Sequence, residues 1–175
     1  MAAFFSCRYC AEPGWLLVSL AAAYALLVLS FIDMDHMIIP DELSLGLVGL
    51  GLATCWLNPY FADGRWRGFA PSLGGALTGL LLLWGIAWFG ELVFKKEAMG
   101  GGDVKLMAGV GALLGWQGVL STLMMGSFFG AVYGLVLMLQ KRVGGKDPIP
   151  FGPFLSLAAL INLYHLVLPS AFMIG

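Results

Sequence analysis

Six stretches of this chain carry almost no charge over the length of a helix: residues 14–33, 43–58, 70–94, 104–115, 117–139 and 152–173. Nothing else in the sequence narrows the fold as much. A membrane core ~30 Å thick takes about 20 apolar residues to cross as a helix, because every backbone N–H and C=O must find its partner inside the segment. A spanning strand would alternate apolar and polar side chains, and these runs do not alternate. Composition points the same way, with 60% hydrophobic residues against 11% charged and a mean hydropathy of +0.91. The expected fold is all-α, a polytopic transmembrane helical bundle of about six membrane segments. One of them, 104–115, is too short to cross alone at ~1.5 Å per residue, which predicts a tilted, extended or re-entrant segment. Its "GVGALLG" run supplies the small residues that let helices approach closely in a membrane.

The loops between these runs divide into two groups. Residues 33–42, 95–103 and 140–151 hold Lys95, Lys96, Lys141, Arg142 and Lys146, with Lys105 just inside the following helix. The opposite group holds Arg65 and Arg67, joined by Arg8 if the N-terminus lies there. The excess of Lys and Arg places the first group in the cytoplasm. Trp56, Tyr60 and Trp66, around "NPYFADGRWRG", read as interfacial anchors at the other boundary. A net charge of -1 leaves no basic stripe to neutralise phosphates, so no nucleic-acid partner is expected. Cys7, Cys10 and Cys55 build no disulfide framework. "CRYC" has the spacing of half a zinc site with no second pair to complete it, so no metal is expected. Residues 1–13 carry no cleavage pattern of a signal peptide. They form a short N-terminal stretch ahead of one membrane domain, 14–175.

The unusual residues gather in the cytoplasmic loops. Asp33 ends an apolar run, followed by Asp35, His36, Pro40, Asp41 and Glu42; Asp103 follows Gly100, Gly101 and Gly102; "GGKDPIPFGPF" closes the third loop with Pro148, Pro150, Gly152 and Pro153. An ionisable group at the edge of a membrane run is costly and points to function. The bland alternatives are a helix-end carboxylate meeting interfacial water for Asp33, and an N-cap for Asp103. Three glycines exceed what a cap needs, and imply a backbone at φ > 0 or the close approach of another backbone. Two runs separate Asp33 from Asp103, which returns both to one membrane face. Two carboxylates brought together share a proton and can hydrolyse a peptide without metal, cofactor or nucleophilic side chain. Asp35 is the rival of Asp33, which is preferred because it ends the apolar run. His36 reads as a loop residue and His165 as a bundle residue. No G-x-S-x-G, H-E-x-x-H or phosphate-loop pattern is present.

"IDMDHMIIPD" (32–41), "KEAMGGGDVKL" (96–106) and "PIPFGPFLS" (148–156) resemble, in order and placement, the three signature stretches of bacterial type IV prepilin peptidases. The resemblance runs from about residue 15 to the end. It implies an intramembrane-type aspartyl endopeptidase of the GxGD group, with Gly100, Gly102 and Asp103 fitting that pattern and Asp33 and Asp103 as the catalytic pair. Supporting or substrate-binding roles then fall on Gly100, Gly102, Lys105, Asp35, His36, Pro40, Asp41, Glu97, Pro150 and Gly152, with Lys96 matching a motif position. The implied partners are a prepilin or type II secretion pseudopilin and the lipid bilayer. The implied location is the bacterial inner membrane, with the site on the cytoplasmic side. Relatives in that family carry two C-x-x-C pairs in an N-terminal region associated with methylation by S-adenosylmethionine. Only "CRYC" corresponds here, so methyltransferase activity is not expected of this chain. Two readings from other classes stand beside this one: a small transporter or channel with the carboxylates as ion or proton ligands, and a non-catalytic assembly factor of a pilus or secretion apparatus.

Overall fold

In a computed structural model of the chain, which describes residues 13–58, 61, 68–94, 100–140 and 150–164, the apolar runs are α-helices. They are α1 (Pro13–His36), α2 (Asp41–Ala53), α3 (Phe69–Phe94), α4 (Gly101–Leu139) and α5 (Gly152–Tyr164), with a 3-10 turn at Cys55–Leu57 and no strand among the described residues. Three are long and apolar enough to cross a membrane: Gly14–His36, Phe69–Val93 and Gly101–Leu139. The run expected at 43–58 is divided between α2, 13 residues long, and the 3-10 turn. The run expected at 152–173 is helical through Tyr164, and its remainder, with His165, lies outside the described residues.

The runs expected at 104–115 and 117–139 are joined in one element, α4, which breaks at Gly115. There φ is 71° and ψ is -177°, a region of backbone space that only glycine enters cheaply. A break in the i→i−4 ladder frees carbonyls in the turn before it. Two of them are taken up by side chains from other parts of the bundle. Asn58 Nδ2 donates to the Leu113 carbonyl at 2.6 Å, and Ser72 Oγ donates to the Ala112 carbonyl at 2.7 Å.

The inner part of α4 is the centre of the bundle. Every residue from Leu106 to Gly115 is buried. Small residues allow this on two sides. Gly75 and Gly79 of α3 lie against the backbone of Gly111, Gly115 and Met107, while Gly51 of α2 meets Ala112, and Gly109 meets Leu47 and the Ser44 carbonyl. Beyond Gly115 the helix turns its small residues to α5 and the residue before it, with Gly126 against Leu155 and Gly130 against Phe151 and Phe154. Ser121 and Thr122 are joined there to Asn162 of α5 by side-chain hydrogen bonds. Such interhelical bonds hold helices together where no hydrophobic gradient favours their contact.

On α1 the buried positions are Trp15, Val18, Ser19, Ala22, Leu26, Leu29 and Asp33. Their spacing of three and four follows one face of a helix. The other faces of α1, α3 and outer α4 expose large apolar side chains such as Leu17, Phe31, Trp84, Phe89, Phe128 and Leu139. A continuous apolar surface of this kind is what a lipid-embedded bundle presents.

Candidate active site

Asp33 closes the buried stripe of α1 and is 6% exposed. Its main chain is fixed by the way the helix ends. The Met37 N–H donates to the Asp33 carbonyl at 2.9 Å, and Met37 has φ 53°, the one positive φ at a non-glycine among the described residues. A left-handed residue after the helix, bonded back four positions, is the αL way of stopping it. Asp35 and His36 stay on the exposed side.

The Asp33 side chain reaches α5. Its Oδ2 accepts from the Gly152 N–H at 3.0 Å. Gly152 is the first residue of α5, where N–H groups have no partner within the helix and favour a carboxylate. A Cβ at Gly152 would sit 2.5 Å from that oxygen, so the carboxylate occupies the space a side chain would need.

Asp103 stands in the first turn of α4, not at its cap. Gly100 is the N-cap, with φ -66° and ψ 140° and no side-chain capping bond; the Asp103 N–H returns to the Gly100 carbonyl at 3.2 Å. This corrects the capping alternative for Asp103. The carboxyl is 7% exposed, and its Oδ1 has no hydrogen-bond partner among the described residues. Asp33 and Asp103 are linked through their neighbours: Ile39 packs against Gly102, beside Asp103, and against Gly152, whose N–H Asp33 accepts.

Of the two uses expected of the glycines before Asp103, positive φ is not found and close approach is, at Gly102. Gly100 has negative φ, and the positive-φ glycine among the described residues is Gly115. Gly102 is needed for clearance instead: a Cβ there would lie 2.6 Å from the Cβ of Ile39. The close neighbour is thus a side chain of this chain itself, from the α1–α2 connection.

The remaining expected residues divide by position. Asp41 and Lys105 form a pair, Lys105 Nζ lying 2.6 Å from both Asp41 oxygens. The ammonium and carboxylate are partly solvated, so the pair contributes at most about 1 kcal/mol to stability; its effect is to tie the start of α2 to α4 just past the first turn of α4. Pro40 is the N-cap of α2, its carbonyl accepting from Ser44 Oγ at 3.2 Å. Glu42 is exposed beside it, and Pro150 is half-buried just before α5. Glu97, Lys95, Lys96, Lys141, Arg142, Lys146, Pro148, Cys7, Cys10, Arg8, Tyr60, Arg65, Trp66 and Arg67 lie outside the described residues. Sequence reasoning missed Ile39, whose apolar character in "MIIP" gives no sign that it packs between the first turns of two helices.

Gathered at one end of the bundle, then, are the end of α1, the α1–α2 connection and the starts of α4 and α5. A model described as the type IV leader peptidase family matches residues 20–135, which include both aspartates. The chain belongs to the type IV leader peptidase family. Among its leader peptidase relatives, a protein of Aeromonas salmonicida (strain A449) named prepilin leader peptidase/N-methyltransferase is 41% identical over 152 residues, 86% of this chain and 50% of that protein. A protein of the same name from Pseudomonas aeruginosa is 40% identical over 144 residues, 82% of this chain and 48% of its own length. One from Burkholderia pseudomallei (strain 1026b) is 35% identical over 152 residues, 86% and 47%. The chain spans about half the length of these curated relatives. No solved structure matches it.

Proposed function

We propose that this chain is an aspartic endopeptidase that cleaves the leader peptides of type IV prepilins or type II secretion pseudopilins. It works at the cytoplasmic face of the bacterial inner membrane, in a bundle of about six membrane segments if the two parts of α4 are counted separately. The observation that carries the reading is the burial of Asp33 and Asp103 together at one end of the bundle. Family membership and the names of the relatives support the substrate class.

The chemistry follows from the pair. Two carboxyl groups brought together at such a site share one proton. The ionised member removes a proton from water as its oxygen attacks the scissile carbonyl carbon, and the protonated member gives its proton to the carbonyl oxygen. The tetrahedral gem-diol then collapses: one hydroxyl returns its proton to the carboxylate that had protonated the carbonyl oxygen as the carbonyl re-forms, the C–N bond breaks, and the leaving amine takes a proton from the other carboxyl. No net proton is gained or lost by the enzyme, and the two groups titrate as one unit. Gly152 holds the Asp33 carboxylate by its N–H. We assign the peptidase reaction to these residues and no methyltransferase step to any of them.

Gly152→Ala is expected to displace the Asp33 carboxylate and to lower kcat about 10- to 100-fold, in line with misplacement of a reacting group by about 1 Å. Helix content by circular dichroism should be unchanged. Retention of full activity would remove Gly152 from the positioning of Asp33.

A basic leader approaching this face meets Asp35, Asp41 and Glu42, which are exposed around the site. The experiment that tests the function is incubation of the purified chain, in detergent, with a prepilin-type substrate, followed by mass spectrometry of the products. The expected result is a single cut between leader and hydrophobic helix. Asp35→Lys combined with Glu42→Lys is expected to raise KM about tenfold, corresponding to ~1.4 kcal/mol of lost attraction, with kcat little changed. No cleavage by the intact chain would overturn the proposed activity; an unchanged KM would overturn only the role of the acidic surface.

A further inference from the structure

Ile39 is 8% exposed although its neighbour Ile38 is 65% exposed. Its surroundings explain the contrast. Ile39 Cβ lies 2.6 Å and its Cγ1 3.3 Å from where a Cβ would stand on Gly102; its Cδ1 lies 3.2 Å from the corresponding point on Gly152. Gly102 precedes Asp103 on α4, and Gly152 gives its N–H to Asp33 from α5. One side chain is thus wedged between the two first turns that carry or hold the two carboxylates.

The segment bearing Ile39 is secured at both ends. Before it, Met37 in the left-handed region bonds back to the Asp33 carbonyl. After it, Asp41 is held by Lys105 of α4. A short strap fixed at both ends has little freedom, and a β-branched side chain on it has one stiff rotamer axis. These are the properties of a spacer. An unbranched or smaller residue would allow the two first turns to move together or tilt.

We propose that Ile39 is a positioning residue, a spacer that sets the separation of Asp33 and Asp103 by holding apart the first turns of α4 and α5. Its role is exercised through the two first turns it packs against, those of Gly102 and Gly152. The proposal rests on the aspartic peptidase reading for its kinetic consequence, and on the geometry alone for its structural one.

The test has two arms. In the first, spin labels are placed through Met34→Cys and Gly101→Cys, both exposed positions, with Cys7, Cys10 and Cys55 replaced by alanine, and the label-to-label distance is measured by pulsed electron paramagnetic resonance. Ile39→Ala is expected to shift or broaden the distribution, and Ile39→Val to restore most of the parent distribution. In the second arm, Ile39→Ala is expected to lower kcat about 10- to 100-fold with KM within about twofold, as expected for misplaced reacting groups and unaltered substrate binding. The pH–rate profile should also change shape, because coupling between the carboxylates depends on their separation. An unaltered distance distribution in Ile39→Ala would overturn the spacer. So would a parent-like kcat, KM and pH profile in an enzyme whose parent cleaves. If the parent does not cleave, the proposed function fails, and the distance arm still decides the role of Ile39.

Discussion

Asp33→Asn and Asp103→Asn should each lower the rate of leader cleavage by about 10²–10⁴, the usual contribution of a positioned general acid or base. Asn has nearly the shape of Asp and can accept the Gly152 N–H that Asp33 Oδ2 accepts at 3.0 Å, so the fold and the substrate surface should persist. What is lost is the ability to take or give a proton. Substrate binding, measured by co-purification or fluorescence anisotropy with a labelled prepilin peptide, should remain within about threefold of the parent, since removing a transition-state contact leaves the ground state alone. The double variant should be about as slow as either single one, because two groups acting as a unit do not contribute additively. Cleavage undiminished in either variant would exclude the dyad. Binding lost together with cleavage would indicate a docking role for these carboxylates and not a catalytic one.

The second large effect concerns stability. Gly75→Ala and Gly111→Ala should each cost about 3 kcal/mol or more, at the upper end of overpacking penalties. A Cβ on Gly75 would collide with the Gly111 carbonyl and would stand 2.6 Å from Gly115 Cα, and a Cβ on Gly111 would collide with the Gly75 carbonyl. Both obstacles are backbone, so no rotamer change relieves them; α3 and α4 must separate. For a chain of this size each kcal/mol shifts Tm by about 2–4 °C, so thermal unfolding in detergent should begin about 6–12 °C lower. Gly74→Ala and Gly85→Ala provide the comparison, since a Cβ at either has nothing within 4 Å. They should leave Tm unchanged or slightly raised, helix propensity favouring Ala. Equal losses at all four positions would mean that close approach of α3 to α4 is not what these glycines provide.

How much of this was legible in the sequence depended on the kind of signal. Helices written as charge-free runs were readable because the bilayer leaves few alternatives, and Asp33 and Asp103 marked two of the helix ends that the structure gathers. Which side of a helix faces inward was not readable. The segment carrying Asp33 is apolar on all sides, so no periodic pattern separates its buried face from its lipid face. Only packing shows that Asp33 continues the series through Leu26 and Leu29 while Asp35 points outward. The glycines ahead of Asp103 announced a need for room, but the neighbour that uses the room, Ile39, is 63 or so residues away in sequence and chemically unremarkable there. The Asp41–Lys105 pair was hidden for the same reason: both charges were visible, their meeting across 64 positions was not. Gly115 was noted for its size, and its φ of 71° belongs to a requirement that composition does not express.

The break at Gly115 also fixes a length. From Gly101 to the residue before the break, the inner part of α4 holds about 14 residues, ~21 Å of helix at ~1.5 Å each. Asn58 and Ser72 clasp its far end, and Asp103 stands at its near end. One residue inserted within that interval would turn Asp103 by about 100° and carry it ~1.5 Å along the axis, away from Asp33. Here the protein measures with its backbone. Substitutions along the interval can be absorbed one at a time, whereas insertions and deletions there would put the ruler out of calibration and separate the two carboxylates with every side chain still in place.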